Sequence, residues 1–317
     1  MYCPKEHLND KNAPFGVDLL LPQVGGGARK TNADYTEGKL PELIDIIIES
    51  GAKLFVSAVG VPPRWAVDKL HAAGIPYMNM IGAPKHVEKA LAAGADIICA
   101  QGGEGGGHTG DVATSILIPV VVDLCKGRRS ALTNAPVAVV AAGGIFDGRG
   151  LAMALSFGAQ AVWVGTRFIC ATEAGAPPRH QQAVIDASYH DTIRTVIFTG
   201  RPMRVVKNPY IMHWEENRQQ EIRELCDNGI IPYTADLEDN KPKGAAGSSS
   251  SSSKIGDPDI PEAQAGAAAT FRPLLMGQCA GAIKDIQPAK QIVDEMVEGA
   301  IVALRTATAF IGPKAKL

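Results

Sequence analysis

The 317-residue chain carries almost no excess of charge: 31 Lys and Arg stand against 33 Asp and Glu, a formal net charge of −2, and no block of like charge interrupts it. Without such a field nothing gathers nucleic acid or anionic lipid, and nucleic-acid binding is set aside. Also missing is any apolar run as long as a membrane span, and the opening MYCPKEHLND is too polar for a secretory signal peptide. The chain therefore reads as soluble and cytoplasmic, with no membrane partner. Its six cysteines, Cys3, Cys99, Cys125, Cys170, Cys226 and Cys279, never occur as C-x-x-C. Three lie within or beside apolar runs, so buried thiols are expected in place of disulfides or zinc ligands.

What is present is a repeated joint. SGAKLFVSAVG, AAGIPYMNMIG, AAGADIICAQGG and SFGAQAVWVGT each set a glycine (Gly51, Gly74, Gly94, Gly158) where a helix stops, and an apolar run follows. Helical spacing precedes these glycines, as with Leu43, Ile44, Ile47 and Ile48, and Pro41, Pro63 and Pro84 sit where a first turn tolerates proline. The runs are continuously apolar, the mark of strands buried on both faces of a parallel sheet. Seven strands are predicted: Phe15–Leu20, Leu54–Val59, Tyr77–Ile81, Ile97–Gln101, Val137–Ala142, Ala161–Gly165 and Thr195–Thr199. The fold class is α/β, a parallel (β/α)8 barrel of the TIM type, one strand short of eight. The expected organisation is a barrel over 1–240, a flexible Ser/Gly/Ala-rich insert over 241–270, and a C-terminal helical segment over 271–317. In that last segment Ile283, Ile286, Val293, Met296, Val297, Ala300, Ile301 and Leu304 return to helical spacing.

Loops that follow the strands of such a barrel form its active face. After the strand ending at Gln101 comes GGEGGGHTGD, in which His108 is open to three readings: a structural histidine, a metal ligand or a general base. The glycines between Glu104 and His108 argue against a helix aiming both at one metal, and no metal site is expected. Glu104 is read as a hydrogen-bond partner of loop amides. His71, His86, His180, His190 and His213 fall mostly on predicted helices or polar segments and read as solvated. Gly143 and Gly144 let the backbone approach a ligand, with Asp147 able to cap the next helix, and Gly165 and Thr166 offer N–H groups and a hydroxyl. One such turn alone is more often just a tight turn. Two on neighbouring strands suit a phosphate.

AQGGEGGGHTGD followed by VAAGGIFDGRGLAMALSFGAQAVWVGTRF resembles the nitronate monooxygenases, formerly 2-nitropropane dioxygenases, particularly fungal members. The similarity runs on through TVIFTGRPMRVVKNPY and LLMGQCAG. The resemblance implies an FMN-binding barrel that oxidises alkyl nitronates or nitroalkanes with O2. It implies that Gln101, Gly106 and Gly107 line the flavin and that Gly143, Gly144, Gly165 and Thr166 bind its phosphate. His108 would take a proton from the carbon beside the nitro group, work suited to an imidazole poised near neutral pH.

Two features depart from the family pattern. A strand and helix usually placed before KNAPFGVDLLLPQ are absent from this sequence, and Asp18 stands where such enzymes often carry asparagine against the flavin. The first departure leads to an expectation of unpaired strand edges, weak FMN binding and self-association, with a homo-oligomer left open. Two other functions compete: NAD(P)H-dependent reduction of the flavin enoyl reductase kind, and a non-catalytic remnant.

Overall fold

The computed structural model describes residues 10, 12–23, 29–239 and 273–311; the stretch expected as a flexible insert, 241–270, lies outside the described residues. Six strands form one parallel, curled sheet: β1 (Gly16–Leu20), β2 (Leu54–Ala58), β3 (Tyr77–Ile81), β4 (Ile97–Gln101), β6 (Ala138–Ala142) and β7 (Ala161–Trp163), in that spatial order. A second, antiparallel sheet holds the two-residue β5 (Gly107–His108) against β9 (Met203–Val206), which also pairs with β8 (Thr192–Thr195). The helices are α1 (Leu40–Glu49), α2 (Arg64–Ala72), α3 (Val87–Ala92), α4 (Thr114–Cys125), α5 (Gly148–Ser156) and α6 (Thr166–Ile169), then α7 (Pro178–Asp186), α8 (Pro209–Asn217), α9 (Gln219–Asp227), α10 (Pro232–Asp239) and α11 (Ala289–Thr308).

The repeated joint folds as its glycines dictate. Gly51, Gly74, Gly94 and Gly158 have φ between 72° and 100° and end α1, α2, α3 and α5. At each, the glycine N–H reaches back three residues and the next N–H reaches back five, as in Gly74 to His71 and Ile75 to Leu70. This pair of hydrogen bonds satisfies carbonyls the helix end would otherwise orphan, and only a residue without Cβ adopts the turn cheaply. The chain then enters the next strand directly. Pro41 lies in the first turn of α1, and Pro63 caps α2.

Register sets the two faces of the sheet. Val17 pairs with Phe55, and both pack on the helical layer with Ile44, Leu70 and Ile98; each such buried side chain is worth about 1.5–3 kcal/mol. Asp18 pairs with Val56, so it shares the inner face with Val56, Met78, Cys99 and Ala142. That inner face is covered at mid-sheet but not at its ends: Gly16, Asp18 and Leu20 on β1, and Ala161 and Trp163 on β7, are exposed. Among the described residues β1 and β7 are the sheet's edge strands, whereas a closed barrel of this type has eight staves.

Two sequence expectations are corrected. The run Thr195–Thr199 is not a seventh stave: its strand is β8, which ends at Thr195, and Ile197 and Phe198 fill a separate core with Met203, Val205, Ile211 and Trp214. A short apolar run does not say which core it enters. The C-terminal helix buries Ile292, Met296 and Ala300 against the main body beside α5, leaving Val293, Val297 and Ile301 exposed, and Ile283 and Ile286 precede it. Among the described residues, no helix is long and apolar enough to cross a membrane.

Candidate functional site

The C-terminal end of β4 runs into the glycine loop, which folds back on itself. A methyl on Gly106 would lie 2.7 Å from the Gly277 nitrogen, and one on Gly143 would lie 2.7 Å from the Gly102 carbonyl oxygen. These glycines are therefore required first by loop-to-loop contact, a use the sequence alone did not separate from approach to a ligand. The Glu104 carboxylate accepts from the Thr114 amide at 3.0 Å and the Thr114 hydroxyl at 2.9 Å, so its partner is the first residue of α4 and not the loop amides expected from the sequence. Through Glu104 and Gly277 the loop also meets Gly144 and Thr166: the Gly277 amide donates to the Thr166 hydroxyl oxygen at 2.9 Å. Asp147 accepts from the Arg149 and Gly150 amides, so the first turn of α5 already has its anion.

Beside this knot a cavity of about 500 Å³ opens at the C-terminal ends of β2, β3 and β4. Gln101, Asn79 and Met80 line it from the strands and His108 from β5. Pairing of β5 with β9 fixes His108 opposite Met203, and its Nε2 lies 3.1 Å from the Thr199 hydroxyl. That hydroxyl donates to the Arg201 carbonyl at 3.2 Å, so its oxygen accepts from Nε2–H and leaves the lone pair on Nδ1. Burial, then the Arg201 charge, pushes the imidazole down to about 4. His108 is thus neutral throughout the physiological range, further from titration than a base poised near pH 7.

The cavity wall is strained. Val59 has φ of 70°, a left-handed conformation costly for a β-branched residue, on the order of 1–3 kcal/mol. It is held from both sides: Asn79 Nδ2 donates to the Gly60 carbonyl at 2.8 Å, and Arg201 donates to the Val59 carbonyl at 3.3 Å.

The nitronate monooxygenase family model matches residues 6–299. The chain belongs to that family. A putative monooxygenase of Mycobacterium tuberculosis is 29% identical, over 93% of this chain and 82% of the relative. The (3aS,4S,5R,7aS)-5-hydroxy-7a-methyl-1-oxo-octahydro-1H-indene-4-carboxyl-CoA dehydrogenase of the same organism is 31% identical, over 94% and 81%. The solved nitroalkane oxidase of Streptomyces ansochromogenes shares the fold, with a TM-score of 0.65 at 24% identity, over 93% of this chain and 82% of that one.

Against this nitronate monooxygenase frame, the singled-out residues fall into three places. Gln101 and His108 line the cavity. Gly106, Gly107, Gly143, Gly144, Gly165 and Thr166 lie in or beside the knot at the ends of β4, β6 and β7, outside the cavity lining. Asp18 sits at the solvent-open end of the inner face of β1, and the partial desolvation it meets there raises its carboxyl to about 6. The sequence reading missed Arg201, Thr199 and Asn79, and it set aside His86, which lines the cavity. Of the histidines read as solvated, His86 is exposed, whereas His71 is half-buried and bonds Asp96 at 2.9 Å near the opposite end of β4. Among the described residues no His/Cys/Asp/Glu group could hold a metal.

Proposed function

We propose that this protein is an FMN-dependent oxidoreductase acting on alkyl nitronates or nitroalkanes with O2, and that His108 is its proton acceptor. The observation that carries the reading is a half-buried, neutral imidazole beside a cation at the cavity of a nitronate monooxygenase family member. When bound, FMN supplies the electron transfer, which no side chain can perform. The residues present fit such a group. Gly165 is exposed, and a methyl there would meet nothing within 4 Å, so the turn after β7 leaves room that Gly106 and Gly143 do not. Gly143, Gly144, Gly165 and Thr166 would hold the phosphate, and Gln101, Gly106 and Gly107 the ring, with Asp18 facing the same interior.

The chain's own residues then divide the work. His108 Nδ1 takes the proton from the carbon beside the nitro group. Arg201 opposes positive charge on the imidazole and favours the nitronate anion that deprotonation creates. Thr199 orients the ring. Substitution His108→Asn tests this assignment: flavin should be retained, turnover of neutral nitroalkanes should fall about a hundredfold or more, and preformed nitronates should be turned over much nearer the wild-type rate. Equal losses on both substrates would reject the base role.

A further inference from the structure

The cavity is ringed by cations. Lys85, His86 and Lys89 stand on the segment after β3; Arg29, Arg194 and Arg201 face them from the 29–32 segment and the β8–β9 hairpin. Asp111 is the one carboxylate-bearing residue among the described lining residues. None of the four arginine and lysine side chains Arg29, Lys85, Lys89 and Arg201 has a described carboxylate partner; their bonds run to neutral oxygens, such as Lys89 to Gln23 at 3.0 Å and Arg29 to the Gly200 carbonyl at 3.1 Å. Arg194 is less satisfied still, with a buried Nε that has no hydrogen-bond partner. The charges also disfavour one another. Burial, then Lys85 and Lys89, lowers His86, and burial, then Arg29, lowers Arg201. In a chain whose formal net charge is −2, this concentration of cations without a described carboxylate partner is a local feature of the cavity.

A nitronate carries a single charge, which Arg201 beside His108 already meets. We propose that the rest of the rim binds the phosphate groups of a nucleotide-bearing substrate or co-substrate whose reacting end reaches toward His108. The proposal rests on the reading of His108 as the reacting end of the cavity. Two walls of opposed cations suit a ligand with several phosphates better than one small anion, and the volume of about 500 Å³ leaves room for an extended molecule.

The test is direct binding, by calorimetry, of coenzyme A, NADPH and inorganic phosphate to FMN-loaded wild-type protein and to Lys85→Glu/Lys89→Glu. Both lysines are exposed, so the variant should match the wild type in melting temperature and flavin content. Coenzyme A or NADPH should bind the wild type, weaken about tenfold or more in the variant, and weaken between about 0.05 M and 0.2 M salt. Binding of coenzyme A identifies a thioester-borne substrate, and binding of NADPH a pyridine-nucleotide donor. Failure of both to bind at about 1 mM, equal binding by the variant, or inorganic phosphate binding as tightly as either nucleotide would overturn the proposal. Repeating the titration on flavin-free protein separates the outcomes, because the rim should bind its ligand even if the flavin reading fails.

Discussion

Acid should unfold this protein partly through His108. The imidazole titrates near 6.5 when solvated, but burial and Arg201 hold it at about 4 in the folded chain. Between those values the unfolded chain binds a proton that the native state refuses. The stability gained by keeping His108 neutral is therefore full above about pH 6.5, is progressively lost as pH falls from about 6.5 to about 4, and is gone below the folded value. A shift of about 2.5 units corresponds to about 3 kcal/mol in all, of which about 2 kcal/mol is lost between about pH 7 and pH 5. Urea unfolding of wild type and His108→Asn at those two pH values reads this directly. The wild type should lose about 2 kcal/mol more than the variant. Equal losses, or a His108 ring titrating near 6.5 by NMR, would refute the burial argument. The same shift keeps the acid limb of any His108-dependent rate profile below about pH 5.

Asp96 accepts from Ser130 Oγ at 2.6 Å, the Tyr77 amide at 2.7 Å, His71 at 2.9 Å and the Leu132 amide at 3.2 Å. Asp96→Ala strands these donors and should cost about 3 kcal/mol or more in urea unfolding; a loss under about 1 kcal/mol would mean the network is not a structural tie. Val59→Gly should raise the unfolding free energy in urea by up to about 1 kcal/mol, since glycine adopts φ of 70° without strain; a lower value would show that Val59 packing outweighs its strain. Burial pushes the Cys99 thiol up to about 12 and Cys125 up to about 11. Peptide mapping after iodoacetamide treatment at about pH 8 should find both unmodified in native protein and modified in urea; rapid native labelling would contradict their burial.

The helix-to-strand joints were legible because the signal is local: a glycine at the stop and an apolar run after it specify the turn with little tertiary help. Asp147 was legible for the same reason, as it acts on the amides of Arg149 and Gly150; Glu104 reaches forward to Thr114, a partner its own position did not specify. The fate of Ile197 and Phe198 was not, since an apolar run is silent about which of two cores takes it. The cationic rim was illegible for a different reason. Arg29, Lys85, Lys89 and Arg201 each look like solvated charges, and only the fold brings their separate loops to one cavity. Nor did the sequence show that His108 would be half-buried beside Arg201, which lowers its basicity. Gly106 and Gly107 were read as lining the flavin, and Gly106 proves necessary for the chain to pass against itself.

The central claim is that the cavity beside His108 serves flavin-dependent oxidation of a nitronate, and anaerobic rapid mixing tests it most directly. Protein loaded with FMN and mixed with ethyl nitronate should lose its flavin absorbance in the dead-end absence of oxygen, regain it when O2 is admitted, and show little change with NADPH alone over the same interval. Rapid bleaching by NADPH with none by the nitronate, or failure of the protein to retain FMN at all, would contradict the account.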